Sequence, residues 1–284
     1  MNFIFGAGIT GLVAALYYKE YFILAKDFGQ EQIGPRILRR TEYVDSFLEK
    51  FKIHLSSRIY KCGYVIDEKI NHNTKIHNTI SLIEKANYLK KTNREELKNT
   101  MNDGITEMEG YDMTELYEII FKRVFDRIVL RKLLKIDTEK KIIIGKQDSY
   151  HYDEIINTLP VSIFNSLLGY PAVTRGTIYA DIFKSEFFIR FLAGFDFLYF
   201  AHPAVPFYRI TKHKGDIFSS ESMHPFVWDF ANTEVLKIVK MPFGKITKNI
   251  QPLMVKDVLH LGRYATNNQA IRLDAVIKFL ENEK

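Results

Sequence analysis

Met1-Asn-Phe-Ile-Phe-Gly6-Ala7-Gly8-Ile9-Thr10-Gly11-Leu12 opens the chain and decides its fold. Phe3 to Phe5 reads as a short apolar strand, Gly-x-Gly-x-x-Gly follows it at once, and Leu12-Val-Ala-Ala-Leu16 begins an apolar helix. Each glycine has its own task at this spacing. Gly6 turns the chain off the strand, Gly8 lets the backbone approach a pyrophosphate, and Gly11 lets helix and strand pack closely. The helix N-terminus then presents N–H groups and the positive end of its dipole to the anion. Tyr21-Phe-Ile-Leu-Ala25 supplies the next parallel strand. A bare Gly-x-Gly-x-x-Gly also occurs in ordinary turns; the strand before it and the helix and strand after it make this a dinucleotide-binding βαβ start.

The 284 residues suffice for one large domain or two interleaved ones, and a hydrophobic content of 46% is ample for a core. No apolar run reaches the roughly 18 residues of a membrane span. The first apolar stretch has no basic region before it and is broken by glycines, so it is not a signal peptide, and a soluble, cytoplasmic protein is expected. The single Cys62 excludes an intramolecular disulfide and a cysteine metal cluster. The net charge of +6 favours anionic ligands. The basic residues are scattered, with short clusters such as Arg39-Arg40 and Lys212-His-Lys214, and no sustained tract points to nucleic acid.

Further along, Thr41 can cap a helix through Phe51 in which Val44, Phe47, Leu48 and Phe51 recur at helical spacing. Arg58 to Ile66 alternates like a strand. Ile76, Ile80, Ile83 and Tyr88 mark a weak helix, and Met113 to Phe125 a better one. Leu133–Ile136, Lys141–Ile144 and Glu154–Asn157 read as strands, a β-meander followed by a strand ending at Thr158-Leu-Pro160. Residues 177–230 are aromatic-rich and strand-like. Val258 to Leu261 is a strand, Gly262-Arg263 a turn and Leu273 to Leu280 a helix. Both chain ends thus read as strand–glycine–helix units.

Five segments taken in order, Gly6–Gly11, Ile33-Gly-Pro-Arg-Ile-Leu38, Tyr152-Asp-Glu-Ile-Ile-Asn-Thr-Leu-Pro160, Pro206-Phe-Tyr-Arg-Ile-Thr211 and Leu261-Gly-Arg-Tyr-Ala265, resemble the UDP-galactopyranose mutase branch of FAD-dependent proteins, kin to the flavin amine oxidases. The resemblance implies an α/β fold: a Rossmann-like FAD-binding domain, an inserted antiparallel β-sheet substrate domain and a shortened helical segment. The expected partition is 1–55, 130–175 and 235–284 for the FAD domain, 56–75 and 176–234 for the sheet domain, and 76–129 for the helical insert. FAD is the implied cofactor. Its implied contacts are Gly6, Ala7, Gly8, Ile9, Thr10 and Gly11, then Lys26 and Asp27, then Gly34, Pro35 and Arg36 in the flavin-covering loop, then Thr158 and Pro160, and Gly262, Arg263 and Tyr264 at the second flavin-contacting turn. For catalysis the resemblance singles out Arg36 and Arg209, and Tyr199 and Tyr208 are the chosen pocket-facing hydroxyls. His202, beside Pro203, is a further acid–base option.

The departures from that pattern are also informative. Lys26 stands where an acid would hold the ribose hydroxyls; either Asp27 substitutes or that grip is missing. Arg36 replaces a histidine close to the isoalloxazine, where a guanidinium stabilises an anionic reduced flavin or holds an anionic substrate. Thr266-Asn-Asn-Gln269 replaces the tyrosines that grip a sugar nucleotide's diphosphate, and the only tryptophan, Trp228, lies outside the region of the family's mobile loop. There is no HExxH, no cysteine pair and no GxSxG, so neither metal nor classical nucleophile chemistry is expected.

Three readings follow. One is oxidoreductase chemistry on a small anionic substrate that carries a phosphate or nucleotide, an amine among the options, with NAD(P)H or another electron donor or acceptor as partner. The second is a mutase-like isomerase that uses reduced FAD. The third is a flavin-binding module without catalysis, acting as a redox sensor or assembly subunit.

Overall fold

In the computed structural model, Phe3–Phe5 (β1) is the middle strand of a five-stranded parallel sheet. The structure describes residues 1–28, 36–92, 106–171, 176–230, 232–241, 251–268 and 271–283. The expected loop contacts Gly34 and Pro35, and Gln269, lie outside them. β1 pairs with Phe22–Ala25 (β2) on one side and Ile155–Asn157 (β10) on the other. Ile128–Leu130 (β6) extends the sheet beyond β2, and Val258–His260 (β16) closes it beyond β10. Such a sheet must be covered on both faces. Ile4 faces the helices Ile9–Tyr17, Glu42–Lys50, Met113–Val124 and Leu273–Glu283. Phe3 and Phe5 face the helix Val161–Leu167 and a three-stranded meander of Leu133–Asp137 (β7), Ile142–Gly145 (β8) and Ser149–His151 (β9).

Ser149–His151 therefore completes the meander, while Ile155, Ile156 and Asn157, all buried, belong to the parallel sheet. Double-sided burial explains why that segment does not alternate.

The second sheet has eight strands in the order Thr233–Met241 (β15), Ile178–Ser185 (β11), Ile217–Ser222 (β14), Phe207–Lys212 (β13), Phe197–Phe200 (β12), Arg58–Val65 (β4), Glu107–Asp112 (β5) and Ile37–Arg39 (β3). Its neighbours run antiparallel except at the β12–β4 seam. Alternation along β12 divides its faces: Leu198 and Phe200 join a phenylalanine-rich core around Trp228, while Phe197 and Tyr199 join Tyr64, Tyr88 and Tyr208 on the other side.

The segment 76–129, expected as a helical insert, supplies the helix Leu82–Lys91 to the tyrosine face, strand β5 to the eight-stranded sheet, and the helix Met113–Val124 to the parallel sheet. The first of these helices starts later than the Ile76-Ile80-Ile83 stripe predicts. A capping box of Ser81 and Glu84 sets its start, leaving Leu82 83% and Ile83 75% exposed, while Tyr88 is fully buried. Among the described residues no helix is long and apolar enough to cross a membrane.

Candidate functional site

The turns after β1, β10 and β16 meet at the carboxyl ends of neighbouring parallel strands, where the chain direction away from β1 reverses, the place where open α/β sheets bind ligands. Gly6, with φ +99°, turns off β1, and a Cβ there would stand 2.9 Å from Thr158 Oγ1. A Cβ on Gly11 would stand 2.0 Å from the Gly6 carbonyl oxygen, so the helix reaches the strand only because this side chain is missing. Gly262, with φ +87°, lies against Thr10; an added Cβ would approach its Cγ2 to 2.9 Å. Gly8 differs. Its φ of −73° suits any residue, it is exposed, and no described atom lies within 4 Å of a Cβ built on it. It caps the helix Ile9–Tyr17, which has no side-chain cap and no acid in its first turn. Ala7 is buried below this turn, and Ile9 and Thr10 are half-buried at its start.

Hydrogen bonds lock the three turns together. Thr158 donates from N and Oγ1 to the Phe5 carbonyl at 3.1 and 2.6 Å. Leu261 N donates to Asn157 O at 2.9 Å, and Val161 N, just after Pro160, donates to Tyr264 O at 2.9 Å. Buried Asn157 donates from Nδ2 to His260 Nδ1 at 3.0 Å, and His260 Nε2 in turn donates to Leu253 O at 3.1 Å. Burial lowers the His260 pKa, in keeping with this neutral tautomer. Arg263 is exposed, its guanidinium 5.1 Å from the centre of the Tyr264 ring.

At the end of β2, Lys26 and Asp27 are both exposed. Tyr117, from the helix Met113–Val124, brings its hydroxyl 3.2 Å from Ala7 O and also hydrogen-bonds Phe28 O. It ties the glycine turn to the end of β2. Sequence reasoning missed it because it lies among the apolar residues of a helix.

The tyrosine face of the eight-stranded sheet carries the other group of candidates. Tyr64 stacks on Tyr199 with centroids 5.7 Å apart, and Tyr88 packs edge-on against Tyr199 and Tyr208 at 5.7 and 6.2 Å. A register shift between Phe207 and Arg209 breaks the alternation, so Tyr208 and Arg209 both reach Glu221 on β14. Tyr208 donates to Glu221 Oε2 at 2.8 Å and Arg209 Nε to Oε1 at 2.9 Å, with Arg209 Nη2 on the same oxygen. Burial alone would lower the Arg209 pKa, but Glu221 and the tyrosines outweigh it and raise it. Arg209 is thus a buried cation already matched by a carboxylate on the adjacent strand.

Arg36, just before β3, donates from Nη1 to Thr114 Oγ1 at 2.9 Å and acts electrostatically on His213, whose pKa falls to about 4 through burial first and Arg36 second. His202 Nδ1 accepts from Ala204 N at 3.2 Å in its own turn.

Arg272 is half-buried just before the helix Leu273–Glu283; burial first, then Arg39 and Arg263, lower its pKa, with Asp274 and Tyr199 opposing. Neither Arg39 nor Arg272 carries a sequence motif. Among the described residues no three His, Cys, Asp or Glu side chains converge to hold a metal ion.

A parallel sheet with a glycine cradle at its switch point, joined to a large antiparallel-dominated sheet, is a known architecture. The chain shares its fold with UDP-galactopyranose mutase. The reduced form of that enzyme aligns at TM-score 0.58 and 10% identity over 97% of this chain and 92% of that one. An oxidoreductase from Methanosarcina mazei aligns at 0.60 and 10% identity over the whole of both chains. Putrescine oxidase bound to putrescine aligns at 0.52 and 8% identity over 99% and 97%. No protein-family model matches the sequence, and no curated protein does. The resemblance to the mutases and flavin amine oxidases is therefore one of architecture, at an identity of about 10%.

Proposed function

We propose that this chain binds FAD non-covalently at the glycine cradle and carries out oxidoreductase-type flavin chemistry on a small anionic, phosphate-bearing substrate. Gly8 carries the proposal. Gly6, Gly11 and Gly262 are glycines because the fold has no room for a side chain; Gly8 has room and an ordinary backbone angle. A glycine there serves something that is not part of the described chain, and at an uncapped helix N-terminus that something is a phosphate. The residues fit the cofactor: Gly8 to Gly11 would take the pyrophosphate, Thr158, Pro160, Gly262 and Tyr264 would wall the crevice, and Asp27 would reach the ribose from the end of β2.

When bound, FAD supplies the electron-accepting ring that carries the difficult chemistry. The remaining tasks fall to the chain. The tyrosine face, with Tyr199 and Tyr208, excludes water, and Arg36 adds positive charge beside β3. Glu221 fixes Arg209 and Tyr208 so that both keep one orientation. An electron donor or acceptor such as NAD(P)H completes the cycle. The fold shared with UDP-galactopyranose mutase supports a second, redox-neutral reading; Thr266, Asn267 and Asn268 offer no tyrosine hydroxyls for a diphosphate and count against it.

Purified protein titrated with FAD is expected to gain a bound flavin spectrum. Gly8→Val should abolish that spectrum while the apoprotein stays folded, its melting temperature lowered only by the few degrees that a poorer N-cap costs. Retained flavin in the variant, or no uptake by the wild type, would sink the proposal. Conversion of UDP-galactofuranose only after chemical reduction would select the mutase reading.

A further inference from the structure

A cavity of about 450 Å³ lies between the end of the helix Leu82–Lys91 and the ends of β12, β13 and β14. That is room for a small-molecule ligand. Its two sides differ in chemistry. The sheet side is apolar, built from Val205, Met223, Phe226 and three prolines. The helix side carries Asn87, Lys90 and Lys91, which at spacings of three and four residues reach the same end of the cavity. No aspartate or glutamate is among the described residues that line it.

Lys91 is half-buried, and its Nζ donates to Phe200 O at 3.0 Å and to His202 O at 2.8 Å. An ammonium has three N–H donors, and these carbonyls take two. Among the described residues no carboxylate pairs with it, and burial lowers its pKa to about 7. A cation held out of water without a counter-ion is costly, and a bound anion relieves that cost.

The cavity is remote from the glycine turns, and β4 measures the separation. Val65, at one end of β4, pairs with Phe200. Arg58, at the other, pairs with Gly110, two residues before Asp112. Asp112 leads into the helix Met113–Val124, whose Tyr117 touches Ala7 O. Seven strand steps, about 23 Å, separate the two ends.

We propose that this cavity is a second binding site, for a small carboxylic acid with an apolar body. The carboxylate sits on Lys91, with Asn87 and Lys90 beside it, and the apolar body lies on Val205, Met223 and Phe226. A lysine point charge with one amide suits a single carboxylate; a phosphoryl group is better matched by arginine forks, of which the cavity has none. The site stands independently of the flavin reading, because none of its residues belongs to the glycine cradle. Tyr208 also lines the cavity, and its hydroxyl is donated to Glu221, so the site adjoins the buried pair of Arg209 and Glu221.

The test is calorimetric titration with octanoate, in the absence and presence of saturating FAD. Octanamide is the uncharged control, and acetate the control without an apolar body. Wild-type protein is expected to bind octanoate, octanamide about tenfold more weakly, and acetate not measurably. Lys91→Met should weaken octanoate binding by about tenfold, the worth of one charge-assisted contact. Asn87→Leu keeps the lysine on its two carbonyls and should cost about fivefold, the worth of one neutral hydrogen bond; it serves if Lys91→Met fails to fold. Gly8→Val should bind octanoate as wild type does. No octanoate binding by wild-type protein would overturn the site. Octanamide binding as tight as that of octanoate would overturn the role of the lysine end. Competition between FAD and octanoate would also refute it, by placing the acid at the glycine turns.

Discussion

The hydroxyl of Tyr117 lies 3.2 Å from the carbonyl oxygen of Ala7, the residue between the first two glycines of the cradle. The same hydroxyl reaches Phe28 O, so one side chain fixes both the glycine turn and the end of β2. Tyr117→Phe is expected to leave the fold intact and to weaken FAD binding by about fivefold, the worth of one hydrogen bond near 1 kcal/mol. Titration of the apoprotein by flavin fluorescence checks this; an unchanged affinity would make the contact incidental.

Gly11→Ala is expected to act on the fold itself. The new Cβ would stand 2.0 Å from the Gly6 carbonyl, and neither backbone can move without unpairing β1. A loss of ~2 kcal/mol or more is expected in urea unfolding of the apoprotein, as for an overpacked core. A variant as stable as wild type would mean that the helix slides freely on the sheet.

Arg209 and Glu221 form a buried pair at 8% and 4% exposure. Glu221→Gln leaves the cation unmatched and should cost ~3 kcal/mol, whereas the double variant Arg209→Met with Glu221→Gln should recover much of that loss. Chemical denaturation of the four proteins closes the cycle. If Arg209→Met instead lowers turnover and leaves stability untouched, the guanidinium acts on substrate rather than on the sheet.

His213 is acted on electrostatically by Arg36, Asp112 and Glu221, and its Nε2 lies 2.8 Å from Ser219 Oγ. Burial and then Arg36 lower its pKa from 6.5 to about 4, while Asp112 and Glu221 oppose them. Between those values the unfolded chain holds a proton that the native state does not, so stability falls as pH drops through that window. His213→Gln should flatten this part of the stability profile. Equal acid sensitivity in both proteins would place its origin elsewhere.

The cradle was legible in the sequence because its spacing is a steric necessity: no residue but glycine leaves room at Gly11 or Gly262. The helix after Thr41 was legible for a local reason too, since Val44 N donates to Thr41 Oγ1 at 3.2 Å as the capping pattern requires. Long-range relations were not legible. Alternation along Phe207-Tyr-Arg-Ile puts Tyr208 and Arg209 on opposite faces, and only the register shift against β14 delivers both to Glu221. Leu38 meets Leu273 and Val276 because β3 ends the large sheet next to the last helix, a tertiary coincidence that leaves no periodic trace. Strand β5 escaped notice for another reason: Glu107, Met108 and Glu109 lack the apolar alternation of a half-buried strand.

The turns at Gly6, Thr158 and Gly262 that meet beyond the parallel sheet come from three distant parts of the sequence. During synthesis β1 is made well before β16, so the turn beyond β16 is the last of the three to appear. A ligand held by all three turns could be captured only after translation of Gly262. Until then the parallel sheet lacks one edge strand, and the hydrogen bonds that lock the three turns together cannot all form.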